Sequence, residues 1–128
     1  MSIVSKSDIR ELFTPSLSTD DVTDDELQGK IDMVEDYVSA VYFNDTTPSS
    51  ANAKYPIIML VLSKTINSHI MKKYGIPKSV SIGDFKYSLA VSGSGKSATD
   101  VARTWEEMAI EILKARGTYH WRIWMAND

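Results

Sequence analysis

The chain has 128 residues, 43% of them hydrophobic and 24% charged, with a formal net charge of −3. That length and balance describe one domain with a modest core and exclude a collagen-like, fully disordered or supercharged chain. The absence of cysteine, with two histidines (His69 and His120) far apart in sequence, excludes a disulfide framework, thiolate chemistry and a His/Cys zinc site.

The first periodic stretch is short, from Asp8 to Phe13, with Ser7 as its cap and Pro15 as its stop. A polar, acidic connection from Ser16 to Val22 follows. Thr23 and Glu26 then have the spacing of a capping box, and Asp24, Asp25 and Glu26 fill a first turn where the helix dipole favours negative charge. Leu27, Ile31, Val34, Val38 and Val41 step by three and four, which predicts an amphipathic helix over Asp24–Tyr42. Asn44 to Ser50 reads as a loop.

A third helix is expected from Ala53 to Tyr74, with Pro56 acceptable only in its first turn. The run Ile57–Leu62 is apolar on every face, so this helix should be central. The run is also the longest apolar stretch, far short of the ~20 residues a bilayer crossing needs. Gly75 is placed to cap the helix and Pro77 to prevent continuation. The period then switches to two: Phe85, Tyr87, Leu89 and Val91 alternate with Lys86, Ser88 and Ala90, as in a half-buried strand.

After a small loop, Ser92 to Ser97, a fourth helix is expected over Ala98–Arg116, capped by Ser97 or Thr99 and ended by Gly117. Val101, Trp105, Met108 and Ile112 form its stripe, with Ala102, Ala109 and Leu113 beside them. In the last segment Tyr119, Trp121, Ile123 and Met125 alternate with His120, Arg122 and Trp124. It is too short for its own core, so it packs back or docks on a partner. The expected fold is therefore mostly α: a four-helix bundle-like domain with two long central helices, a short β-strand or hairpin, and an extended aromatic tail. The domain boundary falls between residues 1–117 and 118–128.

Few constellations carry chemistry. Ala90–Ser97 fits a relaxed phosphate-loop pattern, in which Gly95, Lys96 and Ser97 would hold a nucleotide. Such a site needs a parallel sheet and a second strand ending in Asp, and the chain offers one strand; a Gly-Ser connection with Ser97 or Thr99 as cap is the simpler reading. The acidic groups Asp20/Asp21, Asp24/Asp25/Glu26 and Glu35/Asp36 fall in a loop, at a helix start and on a polar helix side. No catalytic residue, metal site or cofactor is expected from them, and the chain is not read as an enzyme. His69 is read as structural. Lys64, Lys72, Lys73 and Lys78 cluster in sequence, but a pI near 5.3 argues against a high-affinity phosphate-backbone binder. Charge is unevenly distributed: residues 1–47 carry a net −8 and residues 48–128 a net +5. The plain reading is solvated surface; the functional one is complementary faces for self-association or a charged lumen. The start, Met1–Lys6, has no apolar signal core, so a cytoplasmic origin is expected.

The order of parts resembles a family. A short helix leads to the acidic-capped helix Thr23-Asp-Asp-Glu-Leu-Gln-Gly-Lys-Ile-Asp-Met-Val-Glu-Asp-Tyr-Val38. A hydrophobic helix follows, then Ser81-Ile-Gly-Asp-Phe-Lys-Tyr-Ser88, then another helix. This is similar to the head–tail connector (adaptor, or head-completion) proteins of tailed viruses, in which Ser-x-Gly-Asp-aromatic-x-aromatic-Ser recurs after the long hydrophobic helix. Here Ser81, Gly83, Asp84, Phe85 and Tyr87 carry it; Gly83 and Asp84 permit a turn and the aromatics begin a strand. The Gly-Ser-Gly-Lys loop and the segment after Gly117 depart from the pattern.

The resemblance implies a non-enzymatic virion protein of the viral neck, assembled in the host cytoplasm. Its partners would be a portal protein, neighbouring copies of itself in a dodecameric ring, and a stopper or tail-completion protein. Packaged DNA would pass through the channel without sequence-specific binding, and no membrane would be involved. The fourth helix and the tail, through Tyr119, Trp121, Arg122 and Trp124, are expected to dock on the portal. On the residues alone, a small helical interaction or regulatory protein and a phosphate-loop protein remain alternatives.

Overall fold

The computed structural model describes residues 3–82, 85–89 and 97–117. The described chain is mostly helical. It runs α1 (Lys6–Arg10), α2 (Asp24–Tyr42), α3 (Ser50–Thr65), α4 (Ser68–Tyr74), β1 (Ser79–Ile82), β2 (Phe85–Ser88) and α5 (Ala98–Arg116). The apolar tail expected after Gly117 lies outside the described residues.

The centre is α3. Every side chain from Ile57 to Leu62 is buried, so no face of that stretch meets water. The helix packs most extensively on α5 and then on α2, with α1 and β1 closing the remaining sides. Buried side chains from Val4 to Leu113 form one core around it.

Helix α2 has its expected bounds. Thr23 Oγ1 accepts from the Glu26 amide at 3.2 Å, satisfying one amide of the exposed first turn. Leu27, Ile31, Val34 and Val38 are buried. The stripe then ends on Tyr42 rather than Val41, which is only half-buried. A further step of four keeps the side chain in the core. Helix α5 also has its expected bounds, with Ser97 as its cap; the Ser97 hydroxyl accepts from the Asp100 amide at 3.2 Å. Its fully buried stripe is Val101, Trp105, Ala109 and Leu113, while Met108 and Ile112 flank it.

Several expectations are corrected. Helix α1 starts earlier and is capped by Ser5, not Ser7: Ser5 Oγ accepts from the Asp8 amide and Asp8 Oδ2 accepts from the Ser5 amide. The reciprocal capping box is thus at Ser5 and Asp8, whereas at Thr23 and Glu26 the bond seen is the one from the Glu26 amide to Thr23 Oγ1. Helix α3 begins at Ser50, capped by Ser49, so Pro56 sits beyond the first turn. Proline there removes an amide donor from the helical ladder, a cost that burial of the following six apolar residues outweighs, each contributing roughly 1.5–3 kcal/mol.

The single helix expected over residues 53–74 is two helices. Ile66 is extended (φ −64°, ψ 137°) and the Asn67 side chain caps α4 by accepting from the Ile70 amide at 2.9 Å. Asn competes with helical hydrogen bonding through its own side chain, and caps better than it propagates. Ile66 and Ile70, on either side of the break, are both buried. Gly75 ends α4 with φ +82°, a conformation L side chains rarely adopt.

The expected β element is a hairpin, whose first strand, β1, precedes the alternating stretch that marks it in the sequence. Strand β1 pairs antiparallel with β2 in the register Ser79↔Ser88, Val80↔Tyr87, Ser81↔Lys86 and Ile82↔Phe85. The hairpin is bound to the helices by Leu89. The Leu89 amide donates to Lys78 O at 2.7 Å, and Trp105 Nε1 donates to Leu89 O at 3.0 Å. Trp105 is fully buried, so both its area and its one polar atom serve this contact. Replacing Trp105 with Ala should cost about 3–5 kcal/mol, read as a lowered denaturant midpoint. Trp105→Phe should cost less yet remain measurable, at about 1–3 kcal/mol, because the Leu89 carbonyl loses its donor in a buried position.

Candidate interaction surface

The sequence phrase at 81–88 is a hairpin with two unlike faces. Val80 is buried and its cross-strand partner Tyr87 is half-buried, whereas Ser81 and its partner Lys86 are exposed. Tyr87 stacks on Tyr55 of α3, with ring centroids 4.7 Å apart and planes at 23°. The Tyr55 hydroxyl donates to Ser88 O. Burial, and then the neighbouring Tyr87, push the Tyr55 phenol above its ordinary range, so it stays a donor. Phe85 lies in β2 opposite Ile82. Gly83 and Asp84, expected to form the turn, lie outside the described residues. So do the proposed interface residues Tyr119, Trp121, Arg122 and Trp124, and Gly95 and Lys96 of the phosphate-loop pattern.

The structure assembles one polar cluster that sequence reasoning dismissed. Asp21, in the connection before α2, reaches α4 across about fifty residues of sequence. Its Oδ1 accepts from His69 Nε2 at 2.8 Å and its Oδ2 from Lys73 Nζ at 2.9 Å and from the Tyr74 hydroxyl. Tyr74 Oη in turn accepts from the Ser18 amide at 3.1 Å, and the Tyr74 ring packs edge-on against Phe13. The Asp21 side chain is only 8% exposed, whereas His69 and Lys73 stay largely in solvent. His69, read from the sequence as structural, is thus an exposed partner of this carboxylate. Spacing did carry a weak signal: His69, Lys73 and Tyr74 fall at i, i+4 and i+5 on one short helix. Nothing in the sequence said which acid they would meet.

Arg10 performs a similar task nearby. It donates to Leu17 O at 3.0 Å, to Val22 O at 2.8 Å and to Asp24 Oδ1 at 2.8 Å. Lys54 lies 3.5 Å from Asp8. The acidic first third is therefore partly neutralised by bases from the later chain, and only the remainder is free for partners. Exposed carboxylates remain along α2 at Asp25, Glu26, Asp32 and Asp36, and exposed lysines at Lys72, Lys78 and Lys86. Among the described residues no group of three or more His, Cys, Asp or Glu could hold a metal ion, and no helix is long and apolar enough to cross a membrane.

Compared with protein-family models, curated proteins and solved structures, the chain matches none.

The Tyr74 hydrogen bond first, then those from His69 and Lys73, hold the Asp21 carboxyl well below the usual carboxylate range. A carboxylate whose folded pKa lies below its unfolded value, about 3.9 for Asp, contributes stability that is present above that value and lost as pH falls below it. Asp21→Asn should therefore lower the melting temperature at neutral pH. It should also flatten the loss of stability on acidification from about pH 5 to pH 2. Thermal unfolding followed by circular dichroism across that range checks both; superimposable profiles would refute the role of Asp21.

Proposed function

We propose that the chain is a structural connector of a tailed virus particle, forming a ring between the portal and the tail and acting without catalysis. The observation that carries this reading is the phrase Ser81–Ser88. It has the wording found in head–tail connectors, and it follows the hydrophobic helix as it does in them. Its hairpin is held from behind by Tyr55 and Trp105, a rigid base for a surface that meets other subunits. Exposed acids along α2 and exposed lysines on α4 and the hairpin suit a ring, in which one face of each copy meets a different face of the next. The Tyr119–Met125 segment supplies the aromatic anchors that a portal contact would use. Among the described residues the sheet is a two-stranded antiparallel hairpin, not the parallel sheet a phosphate loop needs, which favours the connector reading over nucleotide binding.

Co-expression with the portal protein encoded in the same genome tests the proposal. The full chain should co-purify with the portal as a ring visible by negative-stain microscopy. Removal of residues 118–128 should abolish co-purification while cooperative unfolding is retained. Normal portal binding by the truncated chain would overturn the role of the tail, and failure of the full chain to bind any portal would overturn the connector reading.

A further inference from the structure

Among the described residues, two large hydrophobic side chains are left exposed: Met33 at 52% and Tyr37 at 48%. They are four apart on α2 and so lie side by side on one face. With Leu60 of α3 and Ile110 of α5 they line a groove of about 290 Å³, to which Lys64 and Glu106 add the charged part of the wall. Among the described residues the three helices thus meet at one apolar groove that no described side chain fills.

The chain's own exit point lies next to this groove. Gly117 leaves α5 in extended conformation (φ −67°, ψ 148°) with its amide on Leu113 O at 2.6 Å. A Cβ on Gly117 would stand 2.9 Å from Tyr42 O, so the chain departs against the C-terminal end of α2. The Tyr42 ring there meets Tyr37 edge-on, with centroids 6.2 Å apart, which makes the path from exit to groove aromatic. Ile110 is only two helical turns back, roughly 10 Å along the axis. Residues 118–128 extend to roughly 36 Å, ample to return over it. That segment carries Tyr119, Trp121, Ile123, Trp124 and Met125 as apolar groups, and Arg122 to set against Glu106.

We propose that, in the free chain, residues 119–125 fold back in cis onto the groove lined by Met33, Tyr37, Leu60 and Ile110. The tether decides between this occupant and a second copy. A short linker gives the segment an effective concentration on the order of millimolar, so a second copy at micromolar concentration competes at a disadvantage of about a thousandfold. The inference stands apart from the connector reading, because it concerns the chain alone.

The chain has no cysteine, so Lys64→Cys gives a single attachment point for a nitroxide at the groove. In the isotope-labelled full chain at dilute concentration, the Trp121 and Trp124 indole N–H signals should lose most of their intensity to the label. The further substitutions Met33→Ser and Tyr37→Ser, at exposed positions that leave the core intact, should restore them. Retained signals in the Lys64→Cys chain would overturn the proposal, and signal loss that survives Met33→Ser and Tyr37→Ser would overturn the assignment to this groove. Equal loss when labelled chain is mixed with spin-labelled, unlabelled chain would assign the groove to a second copy and likewise overturn it.

Discussion

The constraint on which the rest depends is that α3 must be covered on every side. Six consecutive apolar residues, Ile57–Leu62, leave no face of the helix that tolerates water. An amphipathic neighbour covers only one stripe. The chain therefore surrounds α3 with α5, α2, α1 and the hairpin, each contributing an apolar edge. The Tyr55 and Trp105 hydrogen bonds to the hairpin backbone complete this arrangement, since the polar groups of a strand laid on an apolar core must find partners.

The irregular segment before α2 is anchored to the same core by Val4, Ile9, Phe13, Leu17 and Val22. Charged groups then fix its turns. Glu35 of α2 accepts from the Ile3 and Val4 amides at 2.7 and 3.0 Å, Arg10 gathers Leu17, Val22 and Asp24, and Asp21 gathers three side chains of α4. Hydrogen bonds to charged groups are stronger than neutral ones and are directional, so each fixes a loop at one point. Apolar burial thus anchors this segment and charged contacts set its path, and acid weakens the second before the first.

This division bears on the proposed assembly. The sequence asymmetry, −8 against +5, would suggest two strongly opposed faces. Folding spends part of it internally, because Asp21 meets Lys73 and Asp8 meets Lys54. The carboxylates left along α2 and the lysines left on α4 and the hairpin are those on which a subunit contact would draw. The apolar seam between α2, α3 and α5 is a separate resource, and an aromatic tail bound there in the free chain would be sheltered until a stronger partner claimed it.

What the sequence determined by itself were features set within a few residues. The bounds of α2 and α5, the Thr23 and Ser97 caps, the end at Gly75 and the burial of Ile57–Leu62 follow from local capping, dipole and periodicity, and the hairpin's β2 from its alternation. The aromatic tail was legible only as a composition. Tertiary structure decided what depends on distant partners. Strand β1 exists because β2 and the helices are there to receive it. Helix α3 ends at Ile66, which is extended and buried, and Asn67 caps a new helix in place of continuing the old one. The last buried position of α2 is Tyr42 rather than Val41, where the end of α2 meets the end of α5 at Gly117. Asp21, one acid among many in a polar connection, became a cross-link only when α4 was brought beside it. The groove at Met33 and Tyr37 arises only where three helices meet, because a hydrophobic period records that a face is apolar and not whether a neighbour covers it.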